Sequence, residues 1–423
     1  MMREKSFLVV KYIYLLFIFI ILSAMLQVID FRLGFTQGFS LLNVLVDILF
    51  FISIFVYMIK GDFFLFEGIK NIQLYGCVCI LYLVIIIIIS INRSSNFVMS
   101  ILAIKNLIFP MLVLVGGAFI SHKIRKTNIL KLIKLINFFQ IINIILVFLG
   151  FKYGWEIVTR YILGESIYAF PIYSFTHSAS MARVPGLFVD ALTQGAFSYL
   201  VFIVNLIIFI DNKYIKRKYS LLFMFISIVG IILSTNRQVI LATFIFIIIL
   251  LSLKYRKLAI VFICFGISGS IAFLIQIVNS NIDIFSLESF NIRMGIWGDV
   301  IKDMNISQKP MNLFWGTGVN ATVLGKESST VALVDNGYLL ILHDYGVIGL
   351  ILFVLFILSI LICFYRNFYK DSIIKISLGY CIFFIVRMFF HSSIVNVYDS
   401  YIFCLITLIG LSKVIELKSL NGS

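Results

Sequence analysis

Charge is what this sequence has least of. Only 13% of its 423 residues are charged, acidic residues number 19, and histidine and proline occur four times each. Hydrophobic residues make up 62% and the mean hydropathy is +1.11, more apolar surface than a soluble core can use. The bilayer must therefore be the solvent for most of the chain. The six cysteines (Cys77, Cys79, Cys264, Cys363, Cys381, Cys404) all lie in apolar runs, which excludes a disulfide-stapled external domain. Cys77-x-Cys79 also lacks metal-ligand spacing. There is no His–Glu metal spacing, no glycine-rich phosphate loop and no Gly-x-Ser-x-Gly elbow, so neither a metal nor a cofactor is expected. Internal repeats, low-complexity tracts and a soluble domain are missing as well.

The formal net charge of +15 would suit a nucleic-acid binder, but its distribution argues otherwise. Lysine and arginine sit in short turns between apolar runs, which is a topology signal rather than a phosphate-binding patch, and no nucleic-acid partner is expected.

What is present is a succession of apolar runs of membrane-spanning length. The first extends from Ser6 to about Ile29, too long for a signal-peptide core and without a small-residue cleavage site. Others lie at about 39–59, 72–91, 97–120, 129–150, 193–210, 219–235, 238–253, 258–278, 338–364, 373–390 and 395–413. Roughly 20 apolar residues cross a hydrocarbon core, and these runs lack the alternation of a barrel strand. The expected fold is an all-α polytopic membrane protein: one integral domain over 1–423 with about twelve transmembrane helices.

Alternate turns differ sharply in basic content. One set holds Arg3 and Lys5, Lys60 and Lys70, Lys123 to Lys126, Lys213 to Lys218, Lys254 to Lys257, Arg366 and Lys370, and Lys413 and Lys418. The other short turns carry Arg32, Arg93 and Arg237 only. By the positive-inside rule both termini are cytoplasmic, and two long polar segments, 151–192 and 279–336, are extracytoplasmic loops. All three tryptophans and three of the four prolines fall in these loops, so they read as folded. Segment 279–336 sums to −2 and segment 151–192 to zero, so no bulk positive field gathers anions outside. An anionic substrate there needs individual arginines at close range.

Two stretches depart from a plain span. The runs 219–235 and 238–253 are short and meet at Ser234-Thr235-Asn236-Arg237-Gln238, which places a charged turn in a water-filled recess, since arginine facing lipid is costly. In the 338–364 run, His343 and Asp344 interrupt the apolar pattern. The crossing is then expected from Tyr345 to about Phe364, with 335–344 at the outer interface.

Four arginines on the outer side can bind phosphate oxygens bidentately: Arg183, Arg237, Arg293 and Arg387. Each also has a plain reading as a solvated or loop-bracing group, and for Arg387 as a partner of a carbonyl. Asp335 can act as a base towards a sugar hydroxyl. The residues alone put a plainer reading ahead of that one: Asp immediately before a helix is a favoured N-cap, worth ~1 kcal/mol. Asn336 can form a turn with Gly337. His343, two helical turns on, can line the same face or simply bond to a neighbour at the interface.

At these residues the chain resembles the Wzy-type polysaccharide polymerases of O-antigen and capsule synthesis and their relatives, the O-antigen ligases. The resemblance covers about 180–350. It rests on Arg183-x-Pro185-Gly186-x-Phe188, Ser234-Thr235-Asn236-Arg237, Arg293 with Trp297, and Gly316-x-Gly318. To these is added Asp335-Asn336-x-Tyr338-Leu339-x-x-Leu342-x-x-x-Gly346-x-x-Gly349. The resemblance implies a glycosyltransferase of the bacterial inner membrane acting on its outer face, metal-independent and inverting. It would move a glycan from undecaprenyl pyrophosphate to an incoming lipid-linked repeat unit. Implied partners are those lipid-linked oligosaccharides, membrane lipids, and the flippase and chain-length regulator of the same pathway. Carried over, Arg183 and Arg293 hold pyrophosphates, with Arg387 a further candidate, and Arg237 stabilises the departing group. Asp335 is then the base, with Asn336, Tyr338 and His343 in support. Ligase-like members carry His where this chain has Asp335, which favours a polymerase. A ligase, a flippase for the same lipid-linked unit and a non-catalytic scaffold stand as alternatives.

Overall fold

The computed structural model describes residues 69–93, 111, 114, 126–153, 186–188, 191–234, 236–254, 287–318, 336–390 and 397–421. The expected spans at 6–29, 39–59 and 258–278 and most of 97–120 lie outside the described residues, as do Arg183, Asp335 and His391. Among the described residues there are ten helices and no strand.

The helices are α1 (Lys70–Arg93), α2 (Lys126–Tyr153), α3 (Ala191–Asp211), α4 (Arg217–Leu233), α5 (Arg237–Lys254), α6 (Leu287–Asp303), α7 (Met311–Trp315), α8 (Gly337–Arg366), α9 (Ser372–Met388) and α10 (Val397–Asn421). Five stretches (Lys70–Ile89, Ile129–Gly150, Ala191–Asp211, Gly337–Arg366 and Asp399–Lys418) are long and apolar enough to cross a membrane. A sixth apolar helix, Gln238–Ser252, is shorter. The chain is a helical membrane protein. Runs of Ile, Leu and Phe give helices because only intrasegment hydrogen bonds can satisfy the backbone in lipid.

The helices divide into core and periphery. α3, α9 and α10 are buried along most of their length. By contrast, α1 exposes Leu74, Leu81 and Ile88, α4 exposes Leu221, Phe225 and Ile232, and α8 exposes Ile351, Leu358 and Ile362. A soluble protein would not present such stripes; towards lipid they carry no penalty.

Polar groups tie the core together. Asn137 and Asn205 exchange amide hydrogen bonds at 2.8 and 3.3 Å between α2 and α3. Gln140 donates to Ser198 at 3.1 Å, and Gln194 donates to the Gly230 carbonyl of α4 at 3.2 Å. A Cβ at Gly230 would meet Ser198 Oγ at 2.5 Å, so glycine is what lets α4 approach α3. Tyr199 donates to the Gly379 carbonyl at 2.9 Å and stacks on Phe383, and Phe384 stacks on Phe403 across α9 and α10.

The bundle has two distinct ends. At one, short loops join α3 to α4 and α8 to α9, and Asp211 accepts from Ser372 and Lys375, each at 2.6 Å. Most described basic residues of the turns (Lys213, Lys216, Arg217, Arg366, Lys370) gather there. At the opposite end the starts of α5 and α8 meet the end of α9, where Gln238 donates to the Phe390 carbonyl and Tyr338 to that of Ile385.

Candidate functional site

The site is built where α8 breaks. Asn336 opens the helix: its side-chain oxygen accepts from the backbone N–H groups of Tyr338 and Leu339, both at 3.0 Å. This corrects the capping alternative for Asp335, because the N-cap is the next residue. At extended φ/ψ the Asn336 side chain reaches both orphan donors.

Ten residues on from Asn336, Gly346 adopts φ 69° and ψ −175°, a region open only to glycine, and the helix is interrupted. The carbonyls released by the break find partners elsewhere. That of His343 accepts from Thr317 N–H at 2.8 Å, that of Asp344 from Gly318 N–H at 3.2 Å, and that of Tyr345 from the Tyr82 hydroxyl at 2.7 Å. Broken helices persist at membrane depth when neighbouring segments satisfy the freed groups in this way. The crossing is close: a Cβ on Gly346 would run into the Phe314 carbonyl, and one on Gly316 into that of Asp344. The expected interruption at His343 and Asp344 is therefore a real break, two residues beyond them.

Polar segment 287–318 lies against this turn. Val300 of α6 packs on Leu339 of α8, flanked by Ile296, Trp297 and Leu342. Asn312 donates to the Met304 carbonyl at 2.8 Å and folds α7 back on the end of α6. Trp315 of α7 stacks on Tyr82 of α1.

Four side chains converge under the break. His343 is fully buried, with Nδ1 2.8 Å from Asp344 Oδ1 and Nε2 3.1 Å from Asp303 Oδ2. Thr317 Oγ1 lies 3.1 Å from His343 Nδ1 and donates to its carbonyl. The Asp344 side chain is 3% exposed, whereas that of Asp303 is 45% exposed. An imidazole flanked by a buried and an open carboxylate can take up, hold and release a proton.

The other described candidates are carried by α5, α6, α8 and α9. Arg237 is the first residue of α5, directly after Asn236, whose side chain accepts from Gln238 N–H at 3.2 Å and donates to the Leu192 carbonyl at 3.2 Å. Arg293 lies on α6, the helix that packs on the start of α8. Tyr338 donates to the Ile385 carbonyl at 3.2 Å and packs its ring on Phe389, bridging α8 to α9.

Arg387 is fully buried in α9. Its Nε is 2.7 Å from Asp399 Oδ2 of α10, itself fully buried, and a terminal nitrogen donates to the Leu192 carbonyl at 2.9 Å. The expected carbonyl partner is present, together with a carboxylate that sequence reasoning did not name. The signal was there: Asp399 is a lone acid inside the 395–413 run, and an intramembrane arginine needs a counter-charge. Asp303, Thr317 and Tyr82 gave no such signal, since only the fold brings them to the turn. In comparisons with known proteins, no family model and no curated protein matches the chain.

Proposed function

We propose that the protein is a polysaccharide polymerase. It takes a glycan from undecaprenyl pyrophosphate and joins it to an incoming lipid-linked repeat unit at the outer face of a bacterial plasma membrane. On this reading the chain crosses about twelve times, both termini are cytoplasmic, and the polar end of the bundle faces outward. The observation that carries it is the interrupted helix α8, whose turn presents His343 and Asp344 to Asp303 of the polar segment that bears Arg293. The start of α5, with Arg237, lies at the same end.

A lipid-anchored diphosphate needs a polar mouth open both to lipid and to water. A broken helix whose carbonyls are already satisfied provides one without exposing backbone to hydrocarbon. Arginine forks such as Arg183, Arg237 and Arg293 would neutralise the pyrophosphate as the anomeric bond breaks. Arg387, held by Asp399 and Leu192, would act from behind that surface as the tie that fixes α9 and α10.

The test is purified protein in lipid with a lipid-linked repeat unit and no nucleotide sugar. Longer lipid-linked chains are the expected product. Transfer to a different acceptor without elongation would indicate a ligase. Movement of the unit between leaflets without bond formation would indicate a flippase, and either result would overturn the proposal.

A further inference from the structure

We infer that Asp303, backed by His343 and positioned through Asp344, is the proton acceptor of the transfer reaction; this rests on the polymerase reading above. The three groups form a line from the interior to the open face. Asp344 at the inner end carries acceptor atoms only when ionised, so its contact at 2.8 Å fixes His343 Nδ1 as the N–H nitrogen. In the neutral imidazole Nε2 then carries the lone pair, and it faces Asp303 Oδ2 across 3.1 Å. Two acceptors held at that distance share one incoming proton better than either holds it alone.

The cluster is fixed in place. His343 and Asp344 stand just before the break at Gly346, and Thr317 binds the carbonyl of His343 through both its N–H and its hydroxyl. The groups facing the imidazole come from three elements. They are Asp303 from α6, Thr317 from the segment after α7, and Asp344 from the turn itself. Neighbouring Lys302 points to Asp299 and is 81% exposed.

The step balances as follows. The acceptor hydroxyl oxygen bonds to the donor's anomeric carbon, and the bond from that carbon to pyrophosphate breaks. Its electron pair leaves with undecaprenyl pyrophosphate. The hydroxyl proton passes to the Asp303 carboxylate, is shared with His343 Nε2, and returns to water through the exposed side of Asp303. Asp303 is the catalytic group; His343 stores the proton and Asp344 is a positioning residue.

The experiment compares full-length wild type, D303N and D335N on a lipid-linked repeat unit, with and without sodium azide. Azide is a nucleophile with no proton to lose. D303N is expected to elongate about 100-fold or more slowly than wild type at unchanged KM, the usual loss on removing a general base. Its consumption of donor by azide, read as glycosyl azide, stays at the wild-type level. Elongation by D303N within about threefold of wild type would overturn the assignment, because a working base contributes far more. So would an azide reaction that falls in step with elongation, since Asp303 would then be holding the donor. Loss of elongation in D335N with D303N unaffected assigns the base to Asp335 instead. D303S is the second variant, read by the same criteria. A wild type that elongates nothing overturns the polymerase reading itself, and does so without reference to any variant.

Discussion

The two ends of the bundle handle charge in opposite ways. At the loop-rich end, Asp211 meets Lys375 with side chains still 12% and 15% exposed, beside turns where water can reach them. At the other, Arg387 and Asp399 are fully buried and α8 is interrupted above a buried histidine and carboxylate. Removing an ion from water costs several kcal/mol, which a well-packed apolar pair would avoid. The first end is organised to close the bundle. The second retains buried charge and a broken helix, the local violations expected where a protein keeps a site.

Breaking the buried pair gives the largest effect and tests that contrast directly. Arg387→Ala should leave Asp399 charged and buried, with a loss of about 3–5 kcal/mol and a marked fall in thermal stability in detergent. The paired change Arg387→Met with Asp399→Leu should recover most of it, because the uncompensated charge is gone. Equal melting temperatures for the single and double variants would show that the pair is not what holds α9 to α10.

Next in size is the break itself. Gly346→Ala asks a side chain to adopt φ 69° against the Phe314 carbonyl. The backbone alone costs about 1–3 kcal/mol, and relief requires segment 311–318 to move away. The variant is expected to fold with a lowered melting temperature and to lose elongation, since Thr317 and Gly318 no longer cap the turn. Unchanged chain length on the cell surface would show that the crossing of Gly316 and Gly346 is structural only.

Much of this was legible in the sequence, and the reasons differ from residue to residue. Helix positions from α1 to α5 and α8 to α10 follow from apolar length, because lipid leaves the backbone few options. The interruption at His343 and Asp344 was visible as polarity inside an apolar run, and Asn336 before Gly337 as a turn signal. Helix α6 was hidden: LESFNIRMGIWGDVIKD is too polar for a span, and its apolar stripe (Ile296, Trp297, Val300) is short. The partners of the turn were hidden for a different reason. Tyr82, Asp303 and Thr317 lie 263, 40 and 26 residues from the groups they bond, separations that no local pattern encodes.

The smallest effect sharpens the comparison from the loop-rich end. Tyr214 sits in the turn between α3 and α4, where burial pushes its phenol up to about 12, with Asp371, Glu416 and Asp211 adding to the shift. The folded state therefore holds this proton more tightly than the unfolded chain, whose tyrosine titrates near 10. Stability from this source is complete below about pH 10 and is lost as pH rises from there towards 12. Tyr214→Phe should remove that alkaline loss while leaving the melting temperature at neutral pH nearly unchanged. A melting curve for the variant that falls with pH as steeply as wild type would place the alkaline transition elsewhere. The expected modest size follows from where the group lies, half-buried in a turn among carboxylates that water also reaches.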